Sequence, residues 1–128
     1  MKYLLDTDIV INHLRKRVMI NKAVLESGAA ISIITLGELL YGAEKSDNPE
    51  TSVTILEKSL NILGLELVNL SKNIMVEFAK IKTVLEKNGI RLEDFDLLIA
   101  ATAKANSLTL VTKNLHHFTR VPNLQIIN

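Results

Sequence analysis

With 128 residues, 48% of them apolar and 23% charged, the chain reads as one globular domain, 1–128, and not as a disordered segment. The absence of cysteine excludes disulfides and Cys-based zinc sites and fits a reducing, cytoplasmic setting. A net charge of +1 excludes a strong overall field for polyanions, so any nucleic-acid affinity has to come from local patches.

Strand and helix signals alternate along the chain. Lys2–Leu5 reads as a first strand, followed by a helix from Thr7 or Asp8 that carries Ile9, Val10 and Leu14. A second helical piece covers about Ile20–Glu26 and stops at Ser27-Gly28. The unbroken apolar run Ala30–Ile34 predicts a second strand buried on both faces, after which Thr35 starts a helix reaching about Lys45. Asn48-Pro49 is a cap followed by a first-turn proline, and the helix it opens stops at Gly64. Leu65–Leu70 predicts a third strand. Ser71 caps a long helix with Ile74, Phe78, Ile81 and Leu85 at helical spacing, ended by Asn88-Gly89. Asp94 begins an alanine-rich helix to Ala105, Leu108–Thr112 is a fourth strand, and Leu124–Ile127 is a short edge strand. This alternation predicts a three-layer α/β/α sandwich around a central, mostly parallel sheet.

No apolar stretch approaches the ~18 residues that a membrane span needs. The start of the chain is also unlike a signal peptide, because Asp6 and Asp8 interrupt the apolar run after Leu5. The basic run Arg15-Lys16-Arg17 reads as solvated surface charge.

Acidic and amide residues recur where strands hand over to helices. Asp6 follows the first strand, Glu38 the second, and Asn114 the fourth, while Asp96 lies in the first turns of a helix. In an open parallel sheet the carboxyl ends of the strands line one crevice, so these groups are expected to converge. Carboxylates that close repel one another unless a cation intervenes, and a divalent metal is the usual resolution. Each has a structural reading too. Thr35-x-x-Glu38 fits a capping box, Asp94 fits an N-cap, Asp8 and Asp96 suit a helix dipole, and Asn114 suits a turn. Asp6 has the weakest structural excuse, since a carboxylate beside buried strand residues needs hydrogen bonds or a cation.

These residues, in this order, resemble the PIN domain, and more narrowly the VapC-type toxins of bacterial toxin–antitoxin pairs. The matching pieces are Tyr3-Leu4-Leu5-Asp6-Thr7-Asp8, Ser32 to Gly42 around Glu38, Asp96-Leu97-Leu98-Ile99-Ala100-Ala101, and Leu110-Val111-Thr112-Lys113-Asn114 with Phe118. The resemblance implies an acidic pocket holding Mg²⁺ or Mn²⁺, with Asp6, Glu38 and Asp96 at the three principal acidic positions. Asn114 falls where many relatives carry a fourth acid, and Thr112 matches a hydroxyl position near the pocket. The implied activity is endonucleolytic cleavage of RNA to a 3′-hydroxyl and a 5′-phosphate. The implied partners are a cognate VapB-like antitoxin laid across the pocket rim and a second copy of the chain. Leu39, Leu40 and Tyr41, beside the helix that starts at Pro49, are candidates for the antitoxin groove.

Three other readings compete. His116 and His117 would suit a metal-free ribonuclease, although neighbouring histidines on one loop cannot easily flank a phosphate from opposite sides. Asp6-Thr7-Asp8-Ile9-Val10 also fits the start of a haloacid-dehalogenase phosphatase, for which Lys113 is a poor later lysine and no paired acidic motif appears. In a non-catalytic interaction module the acids would serve only as caps.

Overall fold

The computed structural model describes residues 2–128. Its elements run β1 (Tyr3–Leu5), α1 (Thr7–Leu14), α2 (Lys22–Glu26), β2 (Ala29–Ser32), α3 (Ile33–Glu44) and α4 (Pro49–Leu63). They continue with β3 (Glu66–Val68), α5 (Lys72–Lys87), α6 (Asp94–Ala105), β4 (Thr109–Val111), α7 (Leu115–Phe118) and β5 (Ile126–Ile127). The five strands form one parallel sheet in the order β3-β2-β1-β4-β5. The expected three-layer sandwich is the observed one.

Alternation along the strands explains the layers. Leu4, Ala30 and Leu110 point to one side, where they pack with Ile74, Ile81 and Leu85 of α5 and with Leu97, Ile99 and Ala100 of α6. Leu5, Ala29, Ile31 and Val111 point to the other, against Val10 of α1, Val24 of α2, Leu39 of α3 and Leu56 of α4. Period-two alternation thus serves two helical layers with apolar residues on both faces of the central strands, which is why Ala29–Ile31 of β2 are all buried and apolar.

The central strand is β1, with β2 on one flank and β4 on the other. The chain therefore leaves β1 in one direction and returns on its opposite side, which makes the carboxyl end of β1 a topological switch point. Asp6 is the first residue beyond it.

Helix stops behave as their local sequence predicts. Gly64 and Gly89 have φ of 67° and 71°, the left-handed region where a side chain would be strained. Starts are less faithful. The second strand ends at Ser32 and α3 begins at Ile33, because the Ser32 hydroxyl accepts the N–H groups of Ile34 (2.9 Å) and Thr35 (3.3 Å). Ile33 and Ile34 are therefore helical, and the capping box expected at Thr35 and Glu38 does not form. At α6 the cap position is Glu93, without a side-chain cap bond, and Asp94 is instead the first helical residue, paired with Lys82 at 2.9 Å. α2 starts after Asn21, whose side chain accepts from Ala23 N–H at 2.8 Å. β3 is shorter than Leu65–Leu70, as an edge strand with exposed Glu66 and Leu67. His116 and His117 belong to the short helix α7, which is anchored by the fully buried Phe118. Among the described residues, no helix is long and apolar enough to cross a membrane.

Candidate active site

Asp6 is 4% exposed and serves as the N-cap of α1, its Oδ1 accepting the Thr7 N–H at 2.8 Å. The register of β1 and β4 pairs Leu5 with Val111, so the next residues, Asp6 and Thr112, stand side by side although 106 positions apart. The Thr112 hydroxyl donates to Asp6 Oδ2 at 2.8 Å while accepting the Asn114 N–H at 2.9 Å. A hydroxyl has one proton to give. With the Asn114 amide occupying an acceptor position, the Thr112 proton is directed at Asp6 and both carboxylate oxygens are held.

Glu38 is oriented by a second hydroxyl chain. The Thr7 hydroxyl donates to Glu38 Oε1 at 2.7 Å, and the fully buried Thr35 hydroxyl lies 3.0 Å from that of Thr7. Because Thr7 gives its proton to Glu38, Thr35 must be the donor in the pair. Thr35 is therefore not a cap but the base of a relay from Thr35 through Thr7 to Glu38. Neither threonine was singled out as functional by the sequence. The signal was present in Asp6-Thr7-Asp8 and in the spacing of Thr35 from Glu38, but local capping rules explained it first.

Asp96 lies in the first turn of α6, half-buried, with its Oδ2 4.0 Å from His117 Nδ1. Asp6, Glu38, Asp96 and Asn114 line one cleft of about 790 Å³, together with the exposed Asp8. The structure thus brings together four of the five residues expected in the site, and the fifth, Thr112, holds Asp6 from behind. Asn114 occupies the cap position of α7 without making a side-chain cap bond. Its amide is left facing solvent at the cleft. Asp8 is the first-turn acid of α1, as its dipole reading expects.

Burial pushes the Asp6 carboxyl above the ordinary aspartate value, the Thr112 hydroxyl and Thr7 N–H pull it back, and the charges of Asp96 and Asp8 push it up again. Asp96 is also raised, first by burial; His117 opposes this, while Glu38, Glu93 and Asp8 add to it. Among the described residues no lysine or arginine forms an ion pair with Asp6, Glu38 or Asp96. Arg15 and Lys45 line the same cleft without pairing to the acids.

The donor set fits a hard dication. It is all oxygen, it carries uncompensated negative charge, and both Asp6 oxygens keep a free lone pair beyond their single protein donors. Among the described residues, no three His, Asp or Glu side chains close on one point tightly enough to enclose an ion by themselves. Such a cleft suits Mg²⁺, which dehydrates reluctantly and takes one or two carboxylates with water in its other positions.

Thr112→Val tests the hydroxyl that holds Asp6. The near-isosteric change leaves Asp6 Oδ2 without its donor and the Asn114 N–H without its acceptor. Stability in a denaturant titration should fall by about 1–3 kcal/mol. An unchanged midpoint would show that neither bond matters.

A parallel α/β sheet with an acidic cleft at its switch point defines the class of protein. The chain belongs to the PIN domain family, whose model matches residues 3–124. It is 36% identical to Ribonuclease VapC2 of Haemophilus influenzae over 131 residues, covering 100% of this chain and 98% of the relative. It is 33% identical to the tRNA(fMet)-specific endonuclease VapC of Salmonella typhimurium over 133 residues, with 98% and 96% covered. Among solved structures, a chain of VapBC2 from Rickettsia felis bound to a promoter DNA fragment superposes with a TM-score of 0.88. Its identity is 33%, with 100% of this chain and 98% of that one covered.

The rival assignments lose their footing. Lys113, the lysine a phosphatase would need, lines a separate cavity with Ile9, Val18 and Ile127 and not the acidic cleft. The His116 and His117 rings stand 6.3 Å apart and tilted by 46°, and His116 Nε2 is engaged by Arg120 at 2.7 Å. His117 Nδ1 instead lies 4.0 Å from Asp96 Oδ2, so the two rings have different partners. Of the residues expected to form a groove, Leu39 is core and Leu40 partly buried, while Tyr41 is exposed at the cleft.

Proposed function

We propose that this chain is a Mg²⁺- or Mn²⁺-dependent endoribonuclease, the toxin of a toxin–antitoxin pair acting in the cytoplasm. The observation that carries the reading is the meeting of Asp6, Glu38 and Asp96 in one cleft, with Asp6 buried and hydrogen-bonded on both oxygens. Names of similar proteins support the substrate and the partner. The relatives above are ribonucleases by name, and solved relatives include VapBC from Salmonella typhimurium bound to DNA and VapBC-1 from nontypeable Haemophilus influenzae.

In this reading Asp6 and Asp96 are the main ligands, directly or through water, and Glu38 is a further ligand or the base that orients the attacking water. A dication held there would supply Lewis acidity and offset charge developing on the phosphodiester. The chain's own groups do the positioning. Thr112 and the Thr7 N–H fix the Asp6 carboxylate, so that no rotamer search precedes reaction. The Thr7 hydroxyl leaves Glu38 Oε2 free to accept a proton from water while Oε1 is held. Asn114 offers an uncharged amide at the cleft, where a fourth acid would add repulsion towards an incoming phosphate.

Three helices, α1, α3 and α6, begin around the cleft, with Asp6 as a cap, Glu38 in the second turn and Asp96 in the first. The positive ends of α1 and α6 favour the charged forms of Asp6 and Asp96 by about 0.3–1 kcal/mol each, an effect that has faded by the second turn where Glu38 sits. A VapB-like antitoxin covering the cleft and a homodimer complete the proposal.

Purified protein incubated with cellular RNA and Mg²⁺ should generate new 5′-phosphate ends, detected by ligation-dependent sequencing. Exhaustive chelation should stop the reaction, and equimolar cognate antitoxin should suppress it. Cleavage that survives chelation would return the mechanism to the histidines, and undiminished cleavage in the antitoxin mixture would remove the toxin role.

A further inference from the structure

The chain is poor in aromatics, with three Phe, two Tyr and no Trp. Phe118 is fully buried, and Phe78 and Tyr3 pack partly against the core. The remaining two are Tyr41, 65% exposed, and Phe95, 55% exposed, and both line the acidic cleft. Each adjoins an acid of the site. Tyr41 follows Glu38 by three residues, one helical turn along the same face of α3, and Phe95 directly precedes Asp96.

Single exposed apolar side chains are common and need no explanation. Here the coincidence is specific, because the two most exposed of five aromatics flank the same acids. Lys45 Nζ lies 4.6 Å from the Tyr41 ring centroid, and Arg15 lines the cleft as well. The cleft follows both α1 and α3 away from the acids, since Arg15 and Lys45 are the C-cap residues of those helices. From Thr7 to Arg15 is a helical rise of about 12 Å, and from Ile34 to Lys45 about 16 Å. Asp6 and Asp8 thus lie at the start of α1 and Glu38 in the second turn of α3, Arg15 and Lys45 at the far ends of those helices, and Tyr41 between Glu38 and Lys45.

Gly37 and Gly42 also line this wall, and a Cβ at either would meet nothing within 4 Å. The surface of α3 is open at these two positions.

We propose that Tyr41 and Phe95 are stacking platforms for unpaired bases on the nucleotides flanking the phosphate to be cut, with Lys45 and Arg15 meeting the strand's phosphates. The proposal rests on the ribonuclease reading and deepens it by assigning substrate-positioning roles to two residues of this chain, Tyr41 and Phe95. Stacking on aromatic faces is tolerant of base identity and is available only to bases outside a duplex. A continuous duplex keeps its bases stacked on one another and has none to give.

The test uses a short unstructured oligoribonucleotide carrying 2-aminopurine, whose fluorescence is quenched by stacking. Binding is followed in Mg²⁺ on an Asp6→Asn background, which keeps the RNA uncut, and cleavage of cellular RNA is followed with otherwise wild-type protein. Tyr41→Ala and Phe95→Ala should each weaken oligonucleotide binding roughly tenfold and remove part of the quenching. Tyr41→Phe and Phe95→Tyr, which keep the rings, should bind and quench as the parent does. The same strand annealed to its complement should bind more weakly and equally to all variants.

Full quenching and affinity in the alanine variants would overturn the proposal, as would a duplex bound as tightly as the single strand. Loss of antitoxin affinity alone, with RNA binding and cleavage unchanged, would assign the two rings to the antitoxin and overturn it too. Failure of the nuclease reading is separately visible. Ring-dependent quenching without any cleavage by the wild-type chain would support the stacking site and sink the ribonuclease assignment, whereas cleavage without quenching would do the opposite.

Discussion

Asp6→Asn is expected to lower RNA cleavage by about a thousandfold or more, corresponding to roughly 4 kcal/mol of lost transition-state stabilisation. The change removes one negative charge from the switch point of the sheet while keeping the shape of the side chain. Asn can still accept the Thr7 N–H with its carbonyl oxygen and present its amide to the Thr112 hydroxyl. The helix cap survives, since Asn caps about as well as Asp. Melting temperature should therefore hold or rise slightly, because the variant no longer buries a charge beside Asp96 and Asp8. Activity equal to wild type in the purified variant would remove Asp6 from the chemistry. A large drop in melting temperature would instead make Asp6 a structural residue.

Addition of Mn²⁺ or Mg²⁺ at neutral pH is expected to raise the melting temperature, and the rise should shrink as pH falls. Both Asp6 and Asp96 bind protons more tightly in the folded chain than their ordinary value of 3.8 implies. Each carboxyl therefore contributes stability while protonated, fully so below that ordinary value, and the contribution is lost as pH rises through the elevated folded value. At neutral pH the metal-free fold carries two partly buried charges that repel. A dication at a hundred times its dissociation constant adds about 2.7 kcal/mol. At roughly 3 °C per kcal/mol for a chain of this size, that is a shift of about 8 °C. Protonation of the carboxyls competes with the metal, so the shift should vanish at acid pH. Differential scanning fluorimetry over a pH series, with EDTA as reversal, measures it. An equal shift in the Asp6→Asn, Asp96→Ala double variant would place the ion elsewhere.

Much of this architecture is legible in the amino-acid sequence. Helix stops depend on a backbone angle that glycine adopts freely, so Gly64 and Gly89 could be read one residue at a time. The alternation of strands and helices depends on periodicity over about ten residues, which a single sequence also carries. Boundaries were harder where two local signals overlapped. Ile33 and Ile34 continue an apolar run and suit a strand, yet Ser32 caps them into α3. The run alone cannot distinguish a buried strand from a buried helical turn. The site showed the same division. Asp6, Glu38 and Asn114 stand out because a polar group after an apolar strand is conspicuous, and Asp96 because Asp94 already suits the cap, whereas Thr7 and Thr35 each have an ordinary local explanation.

By itself, the amino-acid order determined which residues carry charge and where glycine ends a helix, because those properties are local. Tertiary structure alone decided that Thr112 clamps Asp6 and that Thr35 supports Glu38 through Thr7. Those contacts depend on strand register and helix placement across 106 and 31 positions of chain, distances over which no local propensity acts. The same holds for the two exposed rings at the cleft. Tyr41 and Phe95 each adjoin an acid along their own helix, but the two rings come to line one cleft only when α3 and α6 are brought to one edge of the sheet.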